Sequence, residues 1–230
     1  MILEKNLAEI QVSMRKAEKE AGRLKNSVQL IAVTKYSDSE LTRKFVEIGI
    51  KELAENRVDK LLEKQKALSD LKNIRWHFIG NLQRRKVKSV INSINCFHAL
   101  DSLKLAKEIS KYASHKISCL LEVNISGEKS KLGFLPEELE QIVKEISLLE
   151  NIEIIGLMTM SPLNADEETI TKIFQTAKQL KEKIKEMNLP NIPCTELSMG
   201  MSSDYKIAIK QGATMIRIGR DFLKSEIHLS

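Results

Sequence analysis

Two stretches of this 230-residue chain hold residues that could act together chemically. The first is Leu30-Ile31-Ala32-Val33-Thr34-Lys35, an apolar run closed by an amine. A lysine near its ordinary pKa of about 10.4 is a poor nucleophile. Burial in apolar surroundings lowers that value and allows imine formation with an aldehyde. The competing reading is a lysine whose ammonium reaches past the strand end into water. The second stretch spans residues 196–219. Within it Gly200-Met201-Ser202-Ser203-Asp204 joins a strand to a helix, with serines where helix amides begin. Such a turn can hold phosphate oxygens through backbone N–H groups and a hydroxyl. Ile216-Arg217-Ile218-Gly219-Arg220 then places a glycine at the next strand end, where backbone can approach a ligand closely. The plainer alternative makes Ser202 or Ser203 an N-cap and Gly219 a turn residue.

These residues need elements to position them. Short apolar runs recur at Gln29–Lys35, Lys51–Asn56, Arg75–Asn81, Asn95–Asp101, Ser118–Ser126, Ile152–Met160, Glu196–Ser202 and Thr214–Gly219. Their length and their Val, Ile, Leu and Phe content suit strands buried on both faces. Helical patterns lie between them, such as Pro136–Leu149 and Thr169–Met187. An extra helix over residues 1–25 comes first, its apolar stripe formed by Leu3, Leu7, Ile10, Met14, Ala17 and Leu24. Strands alternating with helices define an α/β protein, and the count of eight favours a closed (β/α)8 TIM-type barrel over an open sheet. One domain over residues 1–230 is expected, with the barrel at 28–224. In such a barrel the chemistry stands at the carboxyl ends of the strands. Lys35, Glu55, Asn56, Asn81, Asp101, Asn124, Thr159, Ser202, Arg217 and Gly219 all fall there.

The bulk properties narrow the function classes. A chain 42% hydrophobic and 30% charged is built like an ordinary globular protein. The formal charge of +6 is spread among glutamates on helical segments, which argues against a nucleic-acid surface. The cluster Arg84-Arg85-Lys86-Val87-Lys88 reads as a solvated helix face. Cys96, Cys119 and Cys194 are scattered and give no disulfide framework, and Cys96 and Cys119 read as small buried hydrophobes. No apolar run approaches the ~20 residues that span a bilayer, and the N-terminus has no signal-peptide pattern. A cytoplasmic monomer with no metal site and no membrane partner is expected.

Several segments together resemble the pyridoxal phosphate homeostasis protein family, related to the barrel domain of alanine racemase. They are Ala32-Val33-Thr34-Lys35, Ala54-Glu55-Asn56-Arg57, Trp76-His77-Phe78-Ile79-Gly80-Asn81-Leu82-Gln83, residues 123–131, Gly156-Leu157-Met158-Thr159-Met160, residues 197–204 and Ile216-Arg217-Ile218-Gly219. The resemblance implies pyridoxal 5′-phosphate (PLP) as cofactor, with Lys35 as the Schiff-base lysine. It further implies that Ser202 and the backbone of Gly219 and Arg220 hold the phosphate. Arg217 would face the pyridine nitrogen, and Asn56 would lie beside the ring. Tyr36-Ser37, Arg84-Arg85-Lys86 and the glycine-free Asp221-Phe222-Leu223-Lys224 depart from the family pattern.

The expected role is non-enzymatic. Racemisation needs a base on each face of the α-carbon, and the resemblance implies that racemases take the second from a separate β-domain, which is not expected after Gly219. His77 and Tyr205 are conceivable substitutes, but a hydrogen-bonded core histidine and a packed tyrosine are the plainer readings. An arginine offers only donors, so the ring nitrogen facing it stays unprotonated and the ring is a weaker electron sink. A protein that stores or delivers PLP, with apo PLP-dependent enzymes as recipients, is the leading reading. A weak amino-acid racemase is the alternative, and a lysine-imine barrel lyase without PLP or a basic interaction protein comes third.

Overall fold

In a computed structural model, residues 2–128 and 132–224 are described. Among them, eight parallel strands close into a barrel in sequence order. They are β1 (Gln29–Val33), β2 (Glu52–Glu55), β3 (Arg75–Phe78), β4 (Cys96–Leu100), β5 (Ile117–Glu122), β6 (Ile152–Met158), β7 (Glu196–Ser198) and β8 (Met215–Ile218). The connecting helices are α2 (Ser39–Glu47), α3 (Val58–Ala67), α4 (Arg84–Val90), α5 (Leu103–Tyr112), α6 (Leu139–Ile146), α7 (Glu167–Glu186) and α8 (Tyr205–Lys210). The expected barrel is therefore the observed one. The strands end sooner than the apolar runs suggest. Past the rim only isolated bonds extend the ladder, such as Thr34 N–H to Ala54 O and Ile79 N–H to Glu55 O, and the chain then turns into loops.

The extra helix α1 (Ile2–Glu20) buries Leu3, Leu7, Ile10, Met14 and Ala17 as the stripe requires. Leu24 does not belong to that stripe: it lies past the helix and is 83% exposed. The buried Glu18 carboxylate explains the early stop. It accepts the Asn26 and Val28 amides, drawing the chain out of the helix toward β1.

Strand alternation divides the apolar residues into two groups. Most fill the shell between barrel and helices, including Leu53, Phe78, Phe97, Leu121, Ile154 and Phe174. A small separate cluster of Ile31, Val33, Ala54 and Met215 occupies one side of the barrel interior. Strand spacing sets Arg217, two residues after Met215, on that same inner face. The other side of the interior is polar, which the apolar reading of the strands does not anticipate.

Candidate functional site

The expected site residues fall on four neighbouring strand ends. Lys35 follows β1, Asn56 follows β2, Ser202 follows β7, and Arg217 and Gly219 lie in and just past β8. Because β1 pairs with β8, with Ala32 opposite Ile218, the first and last of these strands are adjacent. A Cβ on Gly219 would stand 3.4 Å from Val33 O, so the β8 exit runs alongside the turn that carries Lys35. On the other flank, a Cβ on Gly80 would overlap Asn56 O, so glycine there lets the β2 and β3 exits pack together.

Lys35 is exposed in the turn after β1, its Nζ 4.8 Å from the centre of the Tyr36 ring. Of the two readings of Lys35, the structure thus has the one in which the amine reaches water, because the chain leaves the barrel interior at Thr34. The turn itself is firmly held from below. The buried Lys64 of α3 donates to Thr34 O (2.7 Å) and pairs with the Glu55 carboxylate. Glu55 also accepts the Thr34 hydroxyl at 2.9 Å and the Asn56 amide at 3.2 Å. One buried ion pair therefore fixes the residues next to both Lys35 and Asn56, and Ser37, also in this turn, has a buried hydroxyl without a partner. Lys64 gives no sequence signal, since α3 reads as an ordinary amphipathic helix.

The two late loops also meet. The Ser202 hydroxyl accepts the Asp221 amide at 3.4 Å, tying the β7 exit to the short 3-10 helix Arg220–Leu223. Neither Ser202 nor Ser203 caps α8. Asp204 occupies the cap position, and its carboxylate turns back to accept the Met201 amide at 2.6 Å and the Ser161 hydroxyl. The Met201 amide is thereby engaged. Arg220 and Asn56 are exposed at the rim.

Arg217 is buried. Its Nη1 donates to Ser198 Oγ at 2.6 Å and its Nη2 to Thr159 O at 3.1 Å. Burial lowers its pKa to about 10, against the opposing pull of Asp204 and Glu122, so it is a cation and donor at neutral pH. Burial, and then Asp101, raise the Glu122 carboxyl above its usual range, with Arg217 acting against them. Behind Arg217 lies a pair of buried histidines, His77 and His98, with Cys96 beside them. Both imidazoles have hydrogen-bond partners at both nitrogens: His77 with Glu52 and His98, and His98 with His77 and Ser198. Glu122, Ser198 and His98 were not legible as site neighbours in the sequence.

Other expectations sort simply. Asn124 and Thr159 bond to loop and strand backbone, at Glu128 O and Val123 O. The basic cluster begins α4 on an exposed face, although Lys86 borders a cleft of about 310 Å³ shared with Asn56, Asn81 and Gln83. All three cysteines are free and buried. Lys129, Ser130 and Lys131, which carry part of the family resemblance, lie outside the described residues. Among the described residues, no helix is long and apolar enough to cross a membrane.

The chain is 38% identical over 216 residues to the pyridoxal phosphate homeostasis protein of Aquifex aeolicus, covering 93% of each chain. This chain belongs to the pyridoxal phosphate homeostasis protein family. The human member is 35% identical over 204 residues, covering 83% of this chain and 74% of the human one. Residues 6–223 match the family described as alanine racemase, N-terminal domain. Among solved structures, an unknown protein from Bifidobacterium adolescentis superposes with a TM-score of 0.92 at 31% identity, over 96% of this chain and 94% of that one. PipY from Synechococcus elongatus, solved with PLP bound, gives 0.84 at 30% identity, over 96% and 99%. Alanine racemase from Clostridium difficile shares the fold at 19% identity and a TM-score of 0.74, this chain spanning 56% of its length.

Proposed function

We propose that this chain binds PLP as a Schiff base on Lys35 in the cytoplasm and serves PLP homeostasis by holding and releasing it. The observation that carries this reading is the donor set on the β7-β8-β1-β2 rim. An accessible primary amine, a hydroxyl beside the backbone of Gly219–Arg220, and a donor-only cation stand on four adjacent strand ends. PLP offers these groups an aldehyde, a phosphate and a ring nitrogen, and its chemistry is amine condensation with electron withdrawal. Lys35 takes the aldehyde. Ser202 and the Gly219–Arg220 backbone donate to the phosphate, Arg217 donates to the ring nitrogen, and Asn56 flanks the ring. The PLP named in the relatives and bound in PipY supports the same ligand.

A carrier fits these residues better than a racemase. Tyr205 is 5% exposed, and His77 is buried with both ring nitrogens engaged. Neither stands ready as a second base opposite Lys35, and Arg217 keeps the ring nitrogen an acceptor.

Protein loaded with PLP is expected to show a visible absorption band, and borohydride is expected to fix the label on the peptide containing Lys35. A label on a different lysine overturns the assignment. The loaded protein is also expected to pass PLP to an apo-enzyme while leaving D- and L-alanine unracemised. Enzymes turn over at ~1–10³ per second, so sustained racemisation in that range, lost in Lys35→Ala, would replace the carrier with a racemase.

Ser202→Ala tests the phosphate contact separately. A hydrogen bond to a charged group is worth about 1.5–3 kcal/mol net, so PLP affinity should fall by that amount in a direct titration. Pyridoxal lacks the phosphate and should bind both proteins alike. Equal weakening of the two ligands would place the serine elsewhere.

A further inference from the structure

The polar side of the barrel interior holds an unbroken line of hydrogen bonds. Arg217 Nη1 lies 2.6 Å from Ser198 Oγ, Ser198 Oγ 2.9 Å from His98 Nδ1, His98 Nε2 2.8 Å from His77 Nδ1, and His77 Nε2 2.7 Å from Glu52 Oε2. Five residues on five strands, β8, β7, β4, β3 and β2, are linked in this way. Glu52 begins its strand, so the line runs from the amino-terminal end of the barrel toward the rim where Lys35 stands.

Donor counting gives this line a direction. Arg217 can only donate, and an ionised Glu52 can only accept. Burial works to raise the Glu52 carboxyl, but the His77 hydrogen bond and the Arg75 charge hold it below its usual range. At the centre, burial beside His77 and Arg217 pushes His98 well below the usual histidine range, so it keeps one ring proton. With one proton on each imidazole, every donor faces the same way: Arg217 to Ser198, Ser198 to His98, His98 to His77, and His77 to Glu52. The alternative adds a second proton to His77 and a further charge among buried side chains. It also reverses His98, so that Ser198 must accept from two donors at once.

We infer that Ser198 and His98 are positioning residues, holding the Arg217 guanidinium toward the ring nitrogen through a one-way chain anchored at Glu52. Ser198 gives its hydroxyl proton to His98 and becomes a fixed acceptor for one arm of Arg217, while Thr159 O fixes the other arm. The charged groups acting on Arg217 are Asp204 and Glu122, and Glu52 faces the Arg75 guanidinium while accepting from His77. None of them replaces Ser198 as the acceptor of Nη1. The inference rests on the proposed placement of PLP, and it adds residues that no part of that placement requires.

Two measurements test it. In the protein without ligand, imidazole ¹⁵N NMR is expected to show His98 protonated at Nε2, and Ser198→Ala is expected to perturb that ring. An Nδ1-protonated or doubly protonated His98 at neutral pH overturns the chain, whether or not PLP binds. The second measurement compares PLP with 1-deaza-PLP, which has carbon in place of the ring nitrogen. Ser198→Ala and His98→Leu are expected to weaken PLP roughly tenfold, the size of one hydrogen bond to a charged group, and to leave the deaza analogue unchanged. His98→Gln, which can still accept and donate, should recover part of the loss. Equal weakening of both ligands, with wild-type unfolding midpoints, overturns the positioning role. If wild-type protein fails to take up PLP, the proposed function falls, and the NMR result still decides the chain.

Discussion

Lys64→Met is expected to lower the unfolding free energy by about 3–5 kcal/mol, the usual cost of removing one partner from a buried ion pair. The side chains of Lys64 and Glu55 are 3% and 1% exposed. Met has a similar reach and fills the space, so packing changes little. What changes is that the Glu55 carboxylate stays buried with only the Thr34 hydroxyl and the Asn56 amide to satisfy it. Thr34 O loses its lysine donor as well. Urea unfolding of the two proteins measures the difference, and a loss under about 1 kcal/mol would show that water reaches the carboxylate. The double variant Lys64→Met/Glu55→Leu removes both charges and should regain much of the loss, because the isolated charge is the costly element. Residual binding in Lys64→Met should also be weak, since the same ion pair shapes the turn beneath Lys35.

Lys35→Ala is expected to abolish the visible band and all borohydride-fixed cofactor while leaving stability within about 0.5 kcal/mol of wild type, as for an exposed side chain. The amine stands in solvent against Tyr36, and its removal opens no cavity. On the proposed placement its reactivity would come from proximity, the phosphate and ring contacts holding the aldehyde beside the amine. Lys35→Ala should therefore retain weaker, reversible PLP binding through Ser202, Gly219–Arg220 and Arg217, measurable by equilibrium dialysis. A covalent band surviving in Lys35→Ala would move the Schiff base to another lysine.

The comparison of these two lysines shows what the sequence could reveal. Lys35 stands out because an amine closing an apolar run is a local pattern, and the structure brings it, Ser202, Arg217 and Gly219 to neighbouring strand ends. The barrel was legible for the same reason, as eight short runs alternating with helices. Lys64 was not, because its partner Glu55 is met only when α3 folds back against β2. Ser198 and His98 are 100 residues apart, and their meeting depends on strand order around the ring. His77 and Tyr205 were read as a hydrogen-bonded core histidine and a packed tyrosine, and both are so placed. For Lys35 the residues alone leave burial and solvent exposure both open, because an apolar run does not show where the strand ends, here at Val33.

The pairing of β1 with β8 has a consequence for how the protein is made. Lys35 and Asn56 leave the ribosome early, whereas Ser202, Arg217 and Gly219 emerge near the end of synthesis. The proposed site straddles the seam where the last strand meets the first, so on that proposal a nascent chain has no complete cofactor cradle until β8 closes the ring. Capture of PLP would then report completed closure, and an early folding intermediate would leave the cofactor pool untouched.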